Sequence, residues 1–218
     1  MEYTQTLTNE VGFHLQPGPT RVGLLGGTFN PAHEGHMDIA QKAYSEFGLS
    51  KIMLILSGNP PHKNASALAP AHHRLNMLAI AARNYPYMEV SSIELDRGGA
   101  IYTVDTLTLL REMQPKNEYH FIIGSDTLFE LQTWKNIGQV FHLTHFICMR
   151  RPGDSFMQIV TEIERLRALY GDKIKLCSHA GPNVSSTDIR RAIREGRKPI
   201  ANLPKEVEEY INQYGLYK

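Results

Sequence analysis

The feature that most constrains the fold is a glycine-rich loop placed between a short apolar run and a helix. Residues 22–25 are apolar, Gly26 and Gly27 follow them, and helical periodicity begins at Met37. This order predicts a strand, a loop and a helix. Glycine lets the backbone approach a ligand closely, and a helix N-terminus offers unpaired N–H groups at the positive end of its dipole. The stretch is therefore typical of a phosphate-binding loop.

Two histidines, His33 and His36, stand three positions apart at the predicted helix start. Imidazole donates a hydrogen bond when it is neutral and adds positive charge when it is protonated. We therefore predict that both histidines stabilise charge on a phosphate and that neither is a nucleophile. The alternative is a loop residue and a helix-terminal residue with no catalytic task. The neighbouring glycine pair and Pro31 favour the functional interpretation.

Further along the chain, apolar runs of strand length alternate with segments of helical periodicity. The predicted strands are 22–25, 51–57, 88–94, 119–124, 145–149 and 173–177. Continuous apolar strands joined by long connections favour a parallel sheet with helices on both faces. We predict an α/β, Rossmann-like, doubly wound parallel sheet with a small C-terminal helical subregion from about residue 185. Residues 21–218 are expected to form one domain, after an irregular arm at 1–20.

Composition excludes several classes of protein. The net charge of the 218 residues is only +1, so no field over the whole molecule attracts nucleic acid or an anionic membrane. Residues 1–20 carry Glu2 and Glu10 and have no apolar stretch, so we expect no signal peptide, and no segment approaches the apolar length of a membrane span. Cys148 and Cys177 lie in apolar runs without metal-ligand spacing, which indicates buried thiols in a reducing compartment. We expect a cytoplasmic protein without nucleic-acid or membrane partners, and a homo-oligomer is left open.

A second helix start follows the sixth predicted strand. Ser185, Ser186 and Thr187 precede Asp188 and an apolar run, which is a helix N-cap signal. Arg190 lies in the first turns of that helix, and its guanidinium can bind a phosphate through two parallel hydrogen bonds. Taken alone, the segment is more typical of a simple cap with a solvated arginine.

The two helix starts together suit a nucleoside triphosphate, and motifs for other phosphate or hydrolase chemistry are absent. Lys63, in the loop after the second strand, is a further candidate ligand, with a solvated lysine as the alternative. No acidic cluster indicates a metal cage, so we expect Mg²⁺ to arrive with the triphosphate of ATP. The plausible reaction is direct in-line attack on the α-phosphate without a covalent intermediate, stabilised by four side chains. These are His33, His36, Lys63 and Arg190.

Several motifs resemble a known family. The run Gly26-Gly27-Thr28-Phe29-Asn30-Pro31, followed by His33, Gly35 and His36, resembles the signature of the nucleotidyltransferase superfamily. The segment Ser185-Ser186-Thr187-x-Ile189-Arg190 resembles its adenylyltransferase motif for adenine and triphosphate. The segments 60–63, 102–107, 124–128 and 133–135 resemble bacterial nicotinate-nucleotide adenylyltransferases. The similarity extends over about residues 21–217.

The resemblance implies that ATP and nicotinate mononucleotide react to give deamido-NAD and pyrophosphate, a step of NAD biosynthesis. It implies that Trp134 stacks on the pyridine ring, that backbone amides near Thr103 and Trp134 bind the ring carboxylate, and that Asp126 lies by the ribose. The ATP-binding residues that it implies are Gly26, Gly27, Thr28, Phe29, Gly124, Asp126, Ser185, Ser186 and Thr187.

Three alternatives stay open at this point. The first is an adenylyltransferase acting on nicotinamide mononucleotide or phosphopantetheine. The second is a non-catalytic nucleotide-binding regulatory protein, which would not need His33, His36 and Arg190 together. The third is an RNA-linked enzyme related to the aminoacyl-tRNA synthetases, which the neutral charge and the lack of an anticodon-binding domain disfavour.

Overall fold

One parallel sheet forms the centre of the molecule. The computed structural model describes residues 19–58, 68–99, 101–198 and 200–218. Within them, six strands lie in the order β3-β2-β1-β4-β5-β6, and every neighbouring pair is parallel. The strands are β1 Arg21–Gly27, β2 Lys51–Leu56, β3 Met88–Ser91, β4 Glu118–Gly124, β5 His145–Arg150 and β6 Ile174–Ala180. The predicted doubly wound α/β fold is confirmed.

Helices cover both faces of the sheet. They are α1 Glu34–Glu46, α2 Ala71–Ala82, α3 Ile93–Arg97, α4 Thr103–Met113, α5 Ser125–Glu130, α6 Ile137–Leu143, α7 Phe156–Tyr170, α8 Ser186–Arg194 and α9 Lys205–Tyr214, with a 3₁₀ turn at Leu131–Thr133. Buried side chains of α1, α2, α8 and α9 pack into one core, and those of α4 to α7 pack into the core on the other face. Strands buried on both faces explain the continuous apolar runs in the sequence.

The order of the strands positions the ligand site. From β1 the chain proceeds through β2 to β3 on one side, and it then crosses to β4 on the other side of β1. Connections that diverge in this way leave a crevice beyond the carboxyl ends of the two central strands. Gly27 ends β1 and Gly124 ends β4, so the predicted glycine-rich loop lies at this crevice.

The structure corrects two details of the predicted elements. The strand expected at 88–94 ends at Ser91, because its pairing with β2 reaches only Ile55 and Ser91. The chain then turns at Ser92, whose hydroxyl donates to Asp96 at 2.8 Å, and Ile93–Arg97 forms α3. Helix α6 was not predicted, and it follows Asn136, whose φ of 51° turns the chain in the left-handed conformation.

Some predictions fall outside the described residues. They are the arm, except for its last two residues, and Lys63 with the motif at 60–63. In the part of the chain that is described, no helix combines the length and the apolar character that crossing a membrane requires. Both cysteines are buried and free, as predicted, and burial raises their pKa values, to about 12 for Cys148 and about 11 for Cys177.

Candidate active site

A cavity of about 910 Å³ opens at the carboxyl edge of the sheet, beyond β1 and β4. Its volume is at the upper end of the range for small-molecule sites. Helices α1, α4 and α8 all begin at its wall, so three helix N-termini direct N–H groups and positive dipole ends towards one space. Such convergence favours a ligand with several anionic groups.

The cavity brings together residues that are far apart in sequence. The predicted site residues in its wall are Gly26, Gly27, Thr28, His33, His36, Thr103, Gly124, Asp126, Trp134, Ser185, Ser186, Thr187 and Arg190. Phe29 lies behind the wall with 1% of its surface exposed, and its ring packs edge-on against His36 at 4.9 Å. A Cβ at Gly27 would lie 3.2 Å from the Phe29 ring, so glycine lets this ring support the loop from below.

The two histidines form a stacked pair at the start of α1. Their ring centroids are 3.6 Å apart, and Nδ1 of His36 accepts a hydrogen bond from the backbone N–H of His33 at 3.2 Å. Because Nδ1 accepts, neutral His36 has its proton on Nε2 and can donate it to a ligand. Burial lowers the pKa of His33 to about 4, so this imidazole is neutral at pH 7.

Helix α8 is joined to the glycine-rich loop by two hydrogen bonds. Ser186 donates its hydroxyl to the carbonyl of Pro31 at 3.0 Å, and Arg190 donates to the carbonyl of Asn30 at 2.7 Å. Ser185 caps the helix by accepting from the N–H of Asp188 at 3.1 Å. The two helix starts predicted from the sequence therefore face one cavity, and Arg190 connects them.

Sequence reasoning missed the side chains that hold this loop from behind. Arg74 is 3% exposed and donates to four backbone carbonyls, with distances of 2.9–3.2 Å. The carbonyls belong to Thr28, Ser57, Gly58 and Ala69. Tyr217 donates its hydroxyl to Oδ1 of Asn30 at 2.8 Å, and burial raises the pKa of this phenol, so it stays a donor. No local pattern identifies either residue, because their partners in the glycine-rich loop, Thr28 and Asn30, lie 46 and 187 positions away in sequence.

One side of the cavity is aromatic and includes the start of α4. The Trp134 ring packs edge-on against Phe121, with centroids 5.8 Å apart. The backbone N–H of Trp134 donates to the carbonyl of Leu131 at 3.0 Å and is thus used within the chain. Thr103 is the first residue of α4, where backbone N–H groups have no partner within the helix. Of the two predicted amide positions, the one at Thr103 fits a carboxylate better.

Three charged residues of the wall were also not predicted. Arg150 ends β5 and Arg151 follows it, and their position at a strand's carboxyl end was a usable signal. Arg151 forms an ion pair of 2.7 Å with Asp126. Glu94 accepts from the hydroxyl of Thr106 at 3.0 Å, and burial raises the pKa of its carboxyl.

The acidic side chains of the cavity wall show whether the protein itself could supply the ligands of a metal ion. Among the described lining residues, the acidic side chains are Glu94 and Asp126, and both already have partners. Neither belongs to a group of potential metal ligands in the described part of the chain. A hard divalent cation therefore fits here as part of a polyphosphate complex that supplies most of its oxygen ligands.

Comparison with known proteins reveals close relatives. A family model described as cytidylyltransferase-like matches residues 24–192. A relative from Thermoanaerobacter sp. (strain X514), named probable nicotinate-nucleotide adenylyltransferase, is 39% identical over 199 residues, or 91% of this chain and 94% of the relative. A relative of the same name from Desulfitobacterium hafniense (strain Y51) is 38% identical over 205 residues, or 94% of this chain and 99% of the relative.

Solved structures share the fold. Plasmodium falciparum nicotinic acid mononucleotide adenylyltransferase complexed with NaAD matches with a TM-score of 0.72 at 20% identity, covering 91% of this chain and 97% of that chain. Its complex with APC matches with the same TM-score at 19% identity and the same coverage. At these identities the likeness concerns the fold alone.

Replacing Tyr217 by phenylalanine tests the support behind the loop. The variant loses the hydroxyl bond to Asn30, whose Oδ1 still accepts from the N–H of Ala69. We expect the free energy of unfolding to fall by about 1 kcal/mol, measured by urea denaturation. Tyr214→Phe is the matched control, because that ring is 51% exposed, and it should change the value by less than about 0.5 kcal/mol. Equal stability of both variants would contradict this role.

The buried histidine predicts a pH dependence of stability. Folding lowers the pKa of His33 from 6.5 to about 4, so between these values the unfolded chain binds more protons and stability falls as the pH falls. In His33→Asn this slope should be shallower by about 1 kcal/mol per pH unit, measured by urea denaturation from pH 7 to pH 4. The exposed His142 gives the control, since His142→Asn should keep the wild-type slope. An unchanged slope in His33→Asn would contradict the argument.

Proposed function

The chain belongs to the nicotinate-nucleotide adenylyltransferases, within the cytidylyltransferase-like group, and from that premise we propose that it transfers AMP from ATP to nicotinate mononucleotide. The products are deamido-NAD and pyrophosphate, so the reaction is a step of NAD biosynthesis. The single observation that supports it most is the convergence of three helix N-termini, two histidines and Arg190 on one cavity. The solved complex of the P. falciparum enzyme with NaAD is consistent with this choice.

The reaction needs no protein nucleophile. A phosphate oxygen of nicotinate mononucleotide attacks the α-phosphorus of ATP, and a new P–O bond forms. The bond from the α-phosphorus to the bridging oxygen breaks, and pyrophosphate leaves with the electron pair. What the protein contributes is alignment of the two substrates and stabilisation of the charge that develops on the α-phosphate oxygens.

Side chains at the two helix starts stabilise that charge. His36 donates its Nε2 proton to a phosphate oxygen, and His33 holds it in position through the backbone bond and the ring stack. Arg190 presents a guanidinium that is already oriented by Asn30. We propose that Mg²⁺ enters with ATP, held by triphosphate oxygens and water, where it neutralises phosphate charge. Lys63 is retained as a proposed phosphate ligand on sequence grounds.

The aromatic side of the cavity suits the pyridine ring of the acceptor. The Trp134 indole offers a flat face for an electron-poor ring. The N-terminus of α4 at Thr103 offers N–H donors, which match a carboxylate better than a carboxamide that brings N–H groups of its own. This difference favours the acid over nicotinamide mononucleotide. The remaining wall residues, from Gly26 to Thr28, Gly124, Asp126 and 185–187, are proposed to bind ATP.

Other parts of the proposal rest on the sequence alone. A cytoplasmic location, the absence of nucleic-acid partners and the option of a homo-oligomer stay predictions. The alternative of a non-catalytic regulatory protein is disfavoured by the arrangement of His36 and Arg190, since a sensor needs affinity for the nucleotide but no stabilisation of a transition state.

A panel of acceptors tests the proposed function. Purified protein is mixed with ATP, Mg²⁺ and either nicotinate mononucleotide, nicotinamide mononucleotide or phosphopantetheine, and pyrophosphate release is measured. We expect the highest kcat/KM with nicotinate mononucleotide, because its carboxylate meets N–H donors. Equal or faster turnover with nicotinamide mononucleotide would overturn the choice of acceptor. Nucleotide binding without pyrophosphate release from any acceptor would support the regulatory alternative.

Substitution of His36 tests the catalytic role. His36→Ala removes the proposed donor to the phosphate, and we expect kcat to fall about a hundredfold or more. His36→Asn keeps a side-chain acceptor for the backbone N–H of His33. This variant therefore distinguishes the loss of the helix cap from the loss of the catalytic donor. The exposed His142 provides the control, and His142→Ala should keep wild-type turnover. Near-full turnover of folded His36→Ala, checked by its thermal unfolding, would remove this histidine from the mechanism.

A further inference from the structure

Three potential metal ligands meet at the edge of the sheet opposite the cavity. Glu118 and His120 lie at the amino end of β4, two positions apart and therefore on one face of the strand. His145 begins β5 and pairs directly with His120 in the parallel register. Oε1 of Glu118 is 3.0 Å from Nε2 of His120 and 3.7 Å from Nδ1 of His145. All three donor atoms lie within 4.8 Å of one another.

The two imidazole nitrogens share Glu118 as a neighbour, but neither makes a well-aligned hydrogen bond. Nε2 of His120 and Nδ1 of His145 are both buried, and neither has a partner in hydrogen-bonding geometry among the described residues, although Glu118 is near. His120 as a whole is only 5% exposed. Nearly all buried polar atoms in proteins are paired with protein atoms, ordered water or ions. Two buried nitrogens that face one carboxylate oxygen without aligned hydrogen bonds form an arrangement that can accept a cation between the three groups.

Burial keeps both imidazoles in the neutral form that binds metals. Burial, the largest cause, lowers the pKa of both histidines, to about 4 for His120. Arg21 and Lys173 add to this effect, and they also make the region less favourable for a cation. The Arg21 guanidinium already has a partner, because it donates a hydrogen bond to the backbone carbonyl of Phe47 at 2.8 Å. Glu118 supplies the negative charge that a cation requires.

We propose that Glu118, His120 and His145 bind one divalent transition-metal cation, with Zn²⁺ as the best match. Two imidazoles and a carboxylate form a common three-residue zinc site, in which water takes the fourth position. Zinc bonds of about 2.0–2.1 Å in tetrahedral geometry place ligand atoms about 3.3 Å apart. The observed separations of 3.0 and 3.7 Å lie on either side of that value.

The site would be independent of adenylyl transfer. None of its three residues lines the cavity, and they lie at the opposite ends of strands that carry cavity residues at their carboxyl ends. A bound cation would join the amino ends of β4 and β5, so its expected effect is on stability. Failure of the proposed function would therefore leave this proposal intact, and the reverse also holds.

A second group of potential metal ligands must be distinguished from this site in any experiment. Glu46, Cys177 and His179 also place ligand atoms within 4.8 Å of one another. Here the carboxylate already accepts from Sγ of Cys177 at 3.0 Å and from the backbone N–H of Ser178 at 2.8 Å. These hydrogen bonds account for the cluster as a link between α1 and β6. Cys177→Ser removes its strongest potential zinc ligand.

The test is a zinc titration of the full chain without an affinity tag. After treatment with a chelator and its removal, the protein is titrated with ZnCl₂ by calorimetry, and thermal unfolding is followed with and without zinc. We expect one Zn²⁺ per chain and a higher unfolding midpoint. His145→Ala should weaken binding by more than about a hundredfold, beyond the usual effect of losing an outer-shell partner. His142→Ala and Cys177→Ser should bind within about twofold of wild type.

Three outcomes would overturn the proposal. They are no zinc binding by the wild type, equal binding by His145→Ala, and loss of binding in Cys177→Ser with retention in His145→Ala. The first would indicate that water fills the space between the imidazoles. Should His145→Ala fail to fold, Glu118→Gln replaces it, because that change keeps the side-chain volume and removes the negative charge. Binding by folded Glu118→Gln at wild-type affinity would equally overturn the proposal.

Discussion

The loop after β1 keeps its shape because two arginines bind its carbonyl groups. Arg74 donates to Thr28 from the buried side, and Arg190 donates to Asn30 from the side of α8. Carbonyl oxygens beside a polyphosphate would repel it, and pairing them with guanidinium groups offsets that repulsion. Two other parts of the site are positioned against this loop: the stacked histidines follow it, and Ser186 at the start of α8 is bonded to it at Pro31.

The positive charge of the cavity wall is local, and the net charge of the whole chain does not reveal it. The net charge is only +1, yet the described part of the wall combines two histidines with three arginines against two carboxylates. One carboxylate, Asp126, is paired with Arg151, so the two charges of that pair largely cancel. An enzyme arranged in this way attracts anions at short range, through helix N-termini and directed hydrogen bonds, and its surface as a whole stays near neutrality.

Much of the fold and part of the site could be predicted because their signals are local. Apolar runs identified the strands, and glycines, histidines and a serine cap marked the two helix starts that face one cavity. Arg74 and Tyr217 could not be found in this way, because their partners lie in loops brought close only by folding. The end of β3 was misplaced for a related reason, since a strand's length depends on the neighbour that it pairs with.

The hydroxyl of Tyr217 meets a loop that begins almost two hundred positions earlier in the chain. During synthesis the glycine-rich loop leaves the ribosome long before Tyr217 has been made. The nascent protein can thus form β1, α1 and much of the sheet while Asn30 still lacks this bond. Because 187 positions separate the two residues, this contact is non-local and forms only after the sheet has brought the two segments together.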